Sequence, residues 1–64
     1  MNETGLKDKY GLEIRLGDEV LLEGLRFDVI VNDFSKRIVI DGETGQAPLI
    51  DVHEKCEVIR RNGR

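Results

Sequence analysis

Apolar and polar residues alternate along most of the chain, which is the pattern of β-strands that turn one face to a core. Leu12, Ile14 and Leu16 share one face of an early segment, and Phe27, Val29 and Val31 share one face of a later segment. A helical period is nearly absent, and glycines recur at intervals that suit turns. The pattern therefore predicts an all-β chain of short strands.

Two sets of turn residues mark places where strands reverse. In the run from Asp8 to Gly11, the carboxylate at the first position can accept the backbone N–H two residues on. The glycine at the last position can adopt a positive φ without steric cost. The run from Asn32 to Ser35 has the residue types of a tight hairpin. Strands joined by turns this short pair antiparallel.

The order of the predicted elements favours a small SH3-like barrel of five or six short antiparallel strands. A long bent hairpin is followed by one short helical or 3₁₀ turn at 51–55, with Asp51 as its N-cap, and then by a last short strand at 56–60. An isolated antiparallel sheet that dimerises through its apolar face is the alternative. Residues 1–64 are expected to form a single domain, and 59–64 a basic tail that is mobile.

The size and composition of the chain limit the classes of protein it can belong to. It has 64 residues, a formal net charge of −3 and one cysteine. A domain this small buries only about 60% of the surface that its unfolded chain exposes, so a dimer or a larger partner would add stability. Cys56 has no partner for an internal disulfide, which favours the cytoplasm. Without an apolar run of about 20 residues or a secretory signal, we expect a cytoplasmic protein with no membrane contact.

The stretch TGLKDKYGLEIRLGDEV, residues 4–20, resembles the opening of the YopX family of phage and prophage proteins. Many members of that family begin with a pattern close to T-G-L-x-D-K-N-G-K-E-I-Y-x-G-D-I-V. The matching positions are Thr4, Gly5, Leu6, Asp8, Lys9, Gly11, Glu13, Ile14, Gly17, Asp18 and Val20. They lie within about a quarter of the chain.

Four positions within the match depart from the family pattern. Tyr10 stands where the family commonly has Asn, Leu12 replaces a Lys, Arg15 an aromatic residue, and Glu19 an Ile. Known members are also considerably longer than this chain. The resemblance implies a β-rich fold and a phage or prophage origin. It implies no activity, because the family offers no biochemical role that can be carried over residue by residue.

Residues with catalytic or metal-binding chemistry are few. Asp51, His53, Cys56 and Glu57 are the only group with metal-ligand chemistry, and a structural zinc site usually needs four Cys or His ligands. Two chains of a dimer would supply four. The only combination for nucleophilic catalysis is Ser35 with His53 and an Asp, and the serine lies at a predicted hairpin tip. We therefore expect no enzyme activity, no metal and no cofactor.

The candidate contacts with a protein partner include a row on one strand. Arg26, Asp28 and Ile30 share its polar face, and Val39 occupies the polar face of the next strand. Because Ile30 and Val39 are apolar residues on otherwise polar faces, they are expected either to form a dimer patch or to be buried by closure of the barrel.

Two further candidates, Tyr10 and Phe34, lie at predicted turn tips, where Gly, Asn or Asp is more usual. Each is either a contact residue or a lid folded onto the end of the barrel. The chain is thus predicted to be a non-catalytic interaction module that binds a protein partner or itself. The alternative is a nucleic-acid or ribonucleoprotein accessory barrel that uses the basic tail with Arg60, Arg61 and Arg64, although the acidic net charge argues against it.

Overall fold

The structure is a computed structural model that describes residues 3–61, most of which lie in strands. The elements are β1 (Glu3–Lys7), β2 (Glu13–Arg15), β3 (Asp18–Leu22), β4 (Leu25–Asn32), β5 (Arg37–Gly42), β6 (Gly45–Pro48), α1 (Leu49–Val52), a 3₁₀ turn (His53–Lys55) and β7 (Glu57–Arg61). Every strand pair in the described residues is antiparallel. This confirms the predicted antiparallel β class, with one short helix shortly before the last strand.

The strands form two sheets. One is the two-stranded β1-β2 sheet, and the other is a five-stranded sheet in the order β6-β5-β4-β3-β7. Among the described residues no ladder joins β6 to β7 or one sheet to the other, so the sheets are not closed into a barrel. The SH3-like barrel is therefore not confirmed. The described residues form seven strands rather than the predicted five or six.

A single hydrophobic core joins the two sheets and the helix. The fully or nearly fully buried side chains that form it are Ile14, Val20, Phe27, Val29, Ile40, Leu49 and Cys56. Ile14 brings the small sheet into this core, and Leu49 brings α1. The inward faces that alternation predicts are correct at Ile14, Phe27 and Val29. They are wrong at Leu12 and Val31, which are 47% and 42% exposed.

The short helix begins earlier than the sequence predicts. Its N-cap position is Pro48, in an extended conformation with φ −64° and no side-chain cap, and Asp51 lies in the first turn. The predicted N-cap at Asp51 is thus wrong. Leu49 is completely buried. We attribute the position of the helix to this burial, since no capping side chain fixes its start.

The basic end of the chain is part of the large sheet as far as Arg61. In the register of β3 with β7, Asp18 lies opposite Arg61, and Glu19 lies opposite Arg60. Residues 59–61 of the expected tail thus lie in β7, which ends one residue after the predicted last strand at 56–60, and their mobility stays a prediction. Residues 62–64 of that predicted tail, including Arg64, lie outside the described residues.

Candidate interaction surface

The turn between β4 and β5 is built by the side chain of Asn32. Its Oδ1 accepts the backbone N–H groups of Phe34 at 2.9 Å and of Ser35 at 3.0 Å. Its backbone oxygen accepts the N–H of Lys36 at 2.7 Å, and Lys36 has φ +61°. The same asparagine donates from Nδ2 to Gln46 Oε1 at 2.8 Å. Backbone and amide hydrogen bonds thus shape this turn, as the turn residues of the sequence predict.

Phe34 projects from this turn with its side chain entirely in solvent. Its relative exposure is 100%. The expectation that Phe34 folds as a lid onto the core is therefore wrong. A contact role for Phe34 stays a prediction.

Beside the base of the same turn lies an apolar groove of about 310 Å³. Its apolar lining comes from three separate parts of the chain, namely Leu6, Ile38 and the run Pro48, Leu49 and Ile50. Lys36 and Arg37 complete the lining. Ile50 stands 60% exposed, although it follows the fully buried Leu49. We call this depression the α1 groove.

The N-terminal turn presents the second exposed aromatic residue. Asp8 Oδ1 accepts the N–H of Tyr10 at 2.9 Å, and Gly11 has φ +84°, as the sequence predicts for this turn. Tyr10 is 71% exposed, and its ring lies 5.4 Å from the Lys9 ammonium group. The lid interpretation is therefore wrong for Tyr10 also, and its contact role remains a prediction. Tyr10 does not line the α1 groove.

Asp8 does more than shape this turn, because its carboxylate also binds two other parts of the chain. Oδ1 accepts the N–H of Leu12 at 2.8 Å, and Oδ2 accepts the N–H of Val58 in β7 at 3.0 Å. Burial alone would raise the pKa of Asp8. The three backbone hydrogen bonds and the nearby positive charge of Arg61 outweigh burial and hold the pKa below its ordinary value. This buried carboxylate is a structural link between the two sheets.

The predicted row on β4 has a mixed outcome. Ile30 lies opposite Val39, and Val39 lies opposite Pro48. Val39 is only 6% exposed and Ile30 is half-buried, so most of this pair is already covered within one chain. Arg26 is exposed, with its Nε 3.9 Å from a carboxylate oxygen of Glu19. None of the residues Arg26, Asp28 and Ile30 lines the α1 groove. The two surfaces approach each other at Val39, which pairs with the groove residue Pro48.

The two arginines of β7 differ in what they contact. Arg61 donates from Nη2 to the backbone oxygen of Glu13 at 2.7 Å, and the same atom lies 3.8 Å from Oδ2 of Asp18. Asp18 is itself 1% exposed and also accepts the N–H of Arg15 at 2.8 Å. Arg61 is thus occupied in joining β7 to the small sheet, whereas Arg60 is exposed.

The predicted group around His53 does not come together as a metal site. Within residues 3–61, no group of three or more His, Cys, Asp or Glu side chains could hold a metal ion. His53 Nδ1 lies 2.7 Å from the backbone oxygen of Lys7, and this nitrogen is the donor because a carbonyl only accepts. Cys56 is buried, and burial, followed by the negative charge of Asp8, raises the pKa of its thiol. Such a thiol stays protonated and is a poor ligand or nucleophile at neutral pH.

The residues that line the α1 groove are not among the sequence candidates. Leu6 and Ile38 both pack against the core from a partly buried position. The sequence does contain one indication of an exposed apolar residue at this place, namely two adjacent apolar residues, Leu49 and Ile50, directly after Pro48. One short helical turn that buries its first apolar residue cannot bury the next residue on the same face, because successive helical residues are about 100° apart.

No helix in residues 3–61 is both long and apolar enough to cross a membrane. Comparison of the chain with family models, with curated proteins and with solved structures finds no match. The resemblance to the YopX family therefore rests on the N-terminal motif alone.

Proposed function

We propose that this chain is a β module with an SH3-like order of strands and of phage or prophage origin, which acts in the cytoplasm without catalysis and binds a protein partner or a second copy of itself. The observation that carries the proposal is the complete exposure of Phe34 on a turn whose hydrogen bonds are made by Asn32. The backbone conformation of this turn does not depend on an aromatic side chain at position 34. An aromatic anchor displayed in this way is typical of the centre of a protein interface.

The order of the elements supports the SH3-like part of the proposal. An N-terminal hairpin precedes the meander of β3, β4 and β5, and a helical turn precedes a last strand that returns to pair with β3. The N-terminal motif supports the phage or prophage origin. A gene position among phage genes would support that origin further, and a position within a conserved housekeeping operon would contradict it.

Self-association through Ile30 is one form of the proposal. Because Val39 is already covered, Ile30 offers little area for a dimer by itself. Sedimentation of the wild type against Ile30→Lys and Phe34→Ser separates the two surfaces. A dimer that only Phe34→Ser dissociates assigns the contact to the turn, and a folded monomer in all three proteins contradicts self-association.

The nucleic-acid alternative loses support from the contacts of β7. Arg61 is already bound to the backbone of Glu13 and lies beside Asp18, and Arg60 lies opposite Glu19. Phosphate contacts are strongest at low ionic strength. We expect no binding to labelled DNA or RNA at low salt, and binding that Arg60→Ala weakens would restore the alternative.

A site-specific photocrosslink tests the proposed protein contact. We suggest replacing Phe34 by benzoylphenylalanine, which preserves an aromatic side chain, and irradiating cells that express the full chain. The matched control carries the same group at Glu43, which is exposed in the turn between β5 and β6. The expected result is a discrete product, identified by mass spectrometry, at position 34 and not at 43.

Two outcomes of this experiment have a definite meaning. A product with twice the mass of the chain identifies a second copy as the partner. The same set of products at positions 34 and 43, or none at either position, contradicts an interface at the turn.

A further inference from the structure

We infer that the α1 groove binds a short protein segment that places apolar side chains in the groove and acidic residues at its rim. This inference rests on the proposed function as a protein-binding module and names the chemistry of its partner. The lining of the groove, its charge and its volume each limit what can occupy it.

The groove is apolar along most of its lining and open to solvent. Leu49 forms a fully buried part of it, while Ile50 keeps 60% of its surface exposed. Ile38 on β5 and Leu6 on β1 are half-buried and contribute the rest of the apolar lining, with Pro48 at the end of β6. Apolar side chains of a partner would remove this surface from water, which is the main source of affinity at such a site.

The charge of the groove is opposite to that of the chain. Among residues 3–61, the charged residues that line it are Lys36 and Arg37, and no acidic residue does so. The chain as a whole carries a net charge of −3. Asp33 and Asp51 are near in sequence but are not part of the lining. Charge complementarity therefore favours an acidic segment over a basic one.

The volume of the groove favours a peptide segment over a larger ligand. About 310 Å³ lies at the lower end of the range of about 300–1,000 Å³ that is typical of ligand pockets. It accommodates a few apolar side chains, while the rest of the segment lies over the rim. Because the surface is concave, a side chain of the partner can enter it, whereas a flat lipid surface would not fill it.

Three capped peptides test the inference by NMR titration of the ¹⁵N-labelled full chain. The first has two glutamates followed by three leucines, the second replaces the glutamates by lysines, and the third replaces the leucines by serines. We expect saturable shifts of the Leu6, Ile38 and Leu49 amide signals with the first peptide. The affinity of the lysine peptide should be lower by about fivefold or more, as two exposed ion pairs allow, and the serine peptide should not bind.

Variants of the full chain assign the binding to the groove. Ile50→Lys changes an exposed residue and should weaken the glutamate peptide without loss of the folded spectrum. The double variant Lys36→Glu with Arg37→Glu should reverse the preference between the glutamate and lysine peptides. Its matched control, Arg15→Glu with Lys55→Glu, changes the net charge equally at two exposed residues that do not line the groove and should leave the preference unchanged.

Several outcomes would overturn the inference. These are the absence of saturation with the glutamate peptide, equal affinity for the lysine peptide, and shifts confined to amides outside the groove. Self-association that shifts the same amides without peptide would make a second copy the occupant. Binding to phosphatidylserine vesicles that Phe34→Ser abolishes would make a lipid surface the partner.

The failure of this inference can be distinguished from the failure of the proposed function. A specific protein crosslink at position 34 together with no peptide binding leaves the proposed function standing and refutes the groove as its site. Peptide binding in the groove without a specific crosslink at 34 supports the groove and refutes the turn as the contact.

Discussion

At the scale of single residues, Asp8 holds more of the structure together than its place in a turn suggests. Its two carboxylate oxygens accept N–H groups from Tyr10, Leu12 and Val58, and the last of these lies fifty positions away in β7. A carboxylate that accepts several backbone hydrogen bonds is stabilised in its charged form. The Asp8 carboxylate therefore stabilises both its own turn and the contact of that turn with β7.

The first prediction concerns Asp8→Asn. The amide group keeps the shape but presents a donor to one of the N–H groups, so we expect a loss of about 2 kcal/mol in the free energy of unfolding at neutral pH. Because the pKa of Asp8 is held below its ordinary value of 3.8, its stabilising effect is present above pH 3.8 and is lost as the pH falls through the lower, folded-state pKa. Urea unfolding of both proteins from pH 7 down to about pH 2 measures the difference.

The wild type should approach the Asp8→Asn variant in stability as the pH falls below 3.8, because a protonated carboxyl resembles the amide. Taking the difference between the two proteins removes the titration of the other acids. A difference that stays constant across this pH range would show that the ionisation of Asp8 is not the source of the lost stability.

The second prediction compares the two arginines of β7. Arg61→Ala removes the donor to the Glu13 backbone and the positive charge beside buried Asp18, so we expect it to lower the free energy of unfolding by about 1–3 kcal/mol. Arg60→Ala, next to it in the same strand, is exposed and should change stability by less than about 0.5 kcal/mol. Urea unfolding at neutral pH compares them. Equal effects would mean that the ladder to β3, rather than the Arg61 side chain, holds the end of the chain.

At the scale of elements, the hairpin of β3 and β4 contains a residue poorly suited to its conformation. Leu22 pairs with Leu25, which leaves Glu23 and Gly24 as a two-residue turn. Both have positive φ, +53° and +81°, as in a type I′ turn. Glycine accepts this conformation freely, while glutamate is strained in it.

The third prediction is that Glu23→Asn stabilises the protein. Asparagine tolerates the left-handed region, and Asn-Gly is the preferred pair in such turns, so we expect a gain of up to about 1 kcal/mol. Glu43→Asn is the matched control, because Glu43 lies in the two-residue turn between β5 and β6 and does not have a positive φ. Thermal unfolding of the wild type and the two variants measures the gain in stability. An equal gain in both variants would mean that the loss of a negative charge, and not the turn conformation, stabilises the protein.

The hairpin of β5 and β6 depends on a close approach of the chain to Phe27. A Cβ atom on Gly42 would lie 2.6 Å from Phe27 Cδ2 and 2.8 Å from the backbone oxygen of Arg26. Because one of these neighbours is backbone, the fourth prediction is that Gly42→Ala lowers the free energy of unfolding by about 1–3 kcal/mol. Glu43→Ala, one residue later and exposed, is its control in urea unfolding. If the free energy of unfolding of Gly42→Ala is unchanged, β5 moves away from Phe27 and Arg26 without loss of stability, and the prediction is wrong.

At the scale of the whole molecule, the two sheets are joined by several independent links. Ile14 of the small sheet is completely buried in the shared core. The Lys9 N–H donates to the Cys56 backbone oxygen at 2.8 Å, and His53 contacts the backbone of Lys7. Such coupling favours unfolding of the described chain as one unit.

The fifth prediction follows from this coupling. The native amide signals of Ile14 in the small sheet and Val29 in the large sheet should be lost at the same urea concentration. Ile14→Ala should lower both midpoints together, with a loss of about 2–5 kcal/mol for a cavity in the core. NMR intensities across a urea titration measure both. Earlier loss of the Ile14 signal would show that the small sheet separates before the large one unfolds.

Local chemistry explains which features the sequence alone determines. The turn from Asp8 to Gly11 and the role of Asn32 follow from side chains that bond to backbone within a few residues. The inward faces at Ile14 and Val29 follow from the two-residue period of a strand. These features need no knowledge of distant parts of the chain, and so the antiparallel β class could be predicted.

Only the tertiary structure decides what depends on residues far apart in the chain. The ladder of β3 with β7 places Arg60 and Arg61 opposite Glu19 and Asp18, and the side chain of Arg61 binds the backbone oxygen of Glu13. Val39 is covered because its register places it between Ile30 and Pro48. The α1 groove exists because Leu6, Ile38 and Ile50 meet from three elements. Register and burial arise from the sum of many long-range contacts, so no local pattern specifies them. By contrast, the sequence alone identifies Tyr10 and Phe34 as unusual residues for a turn.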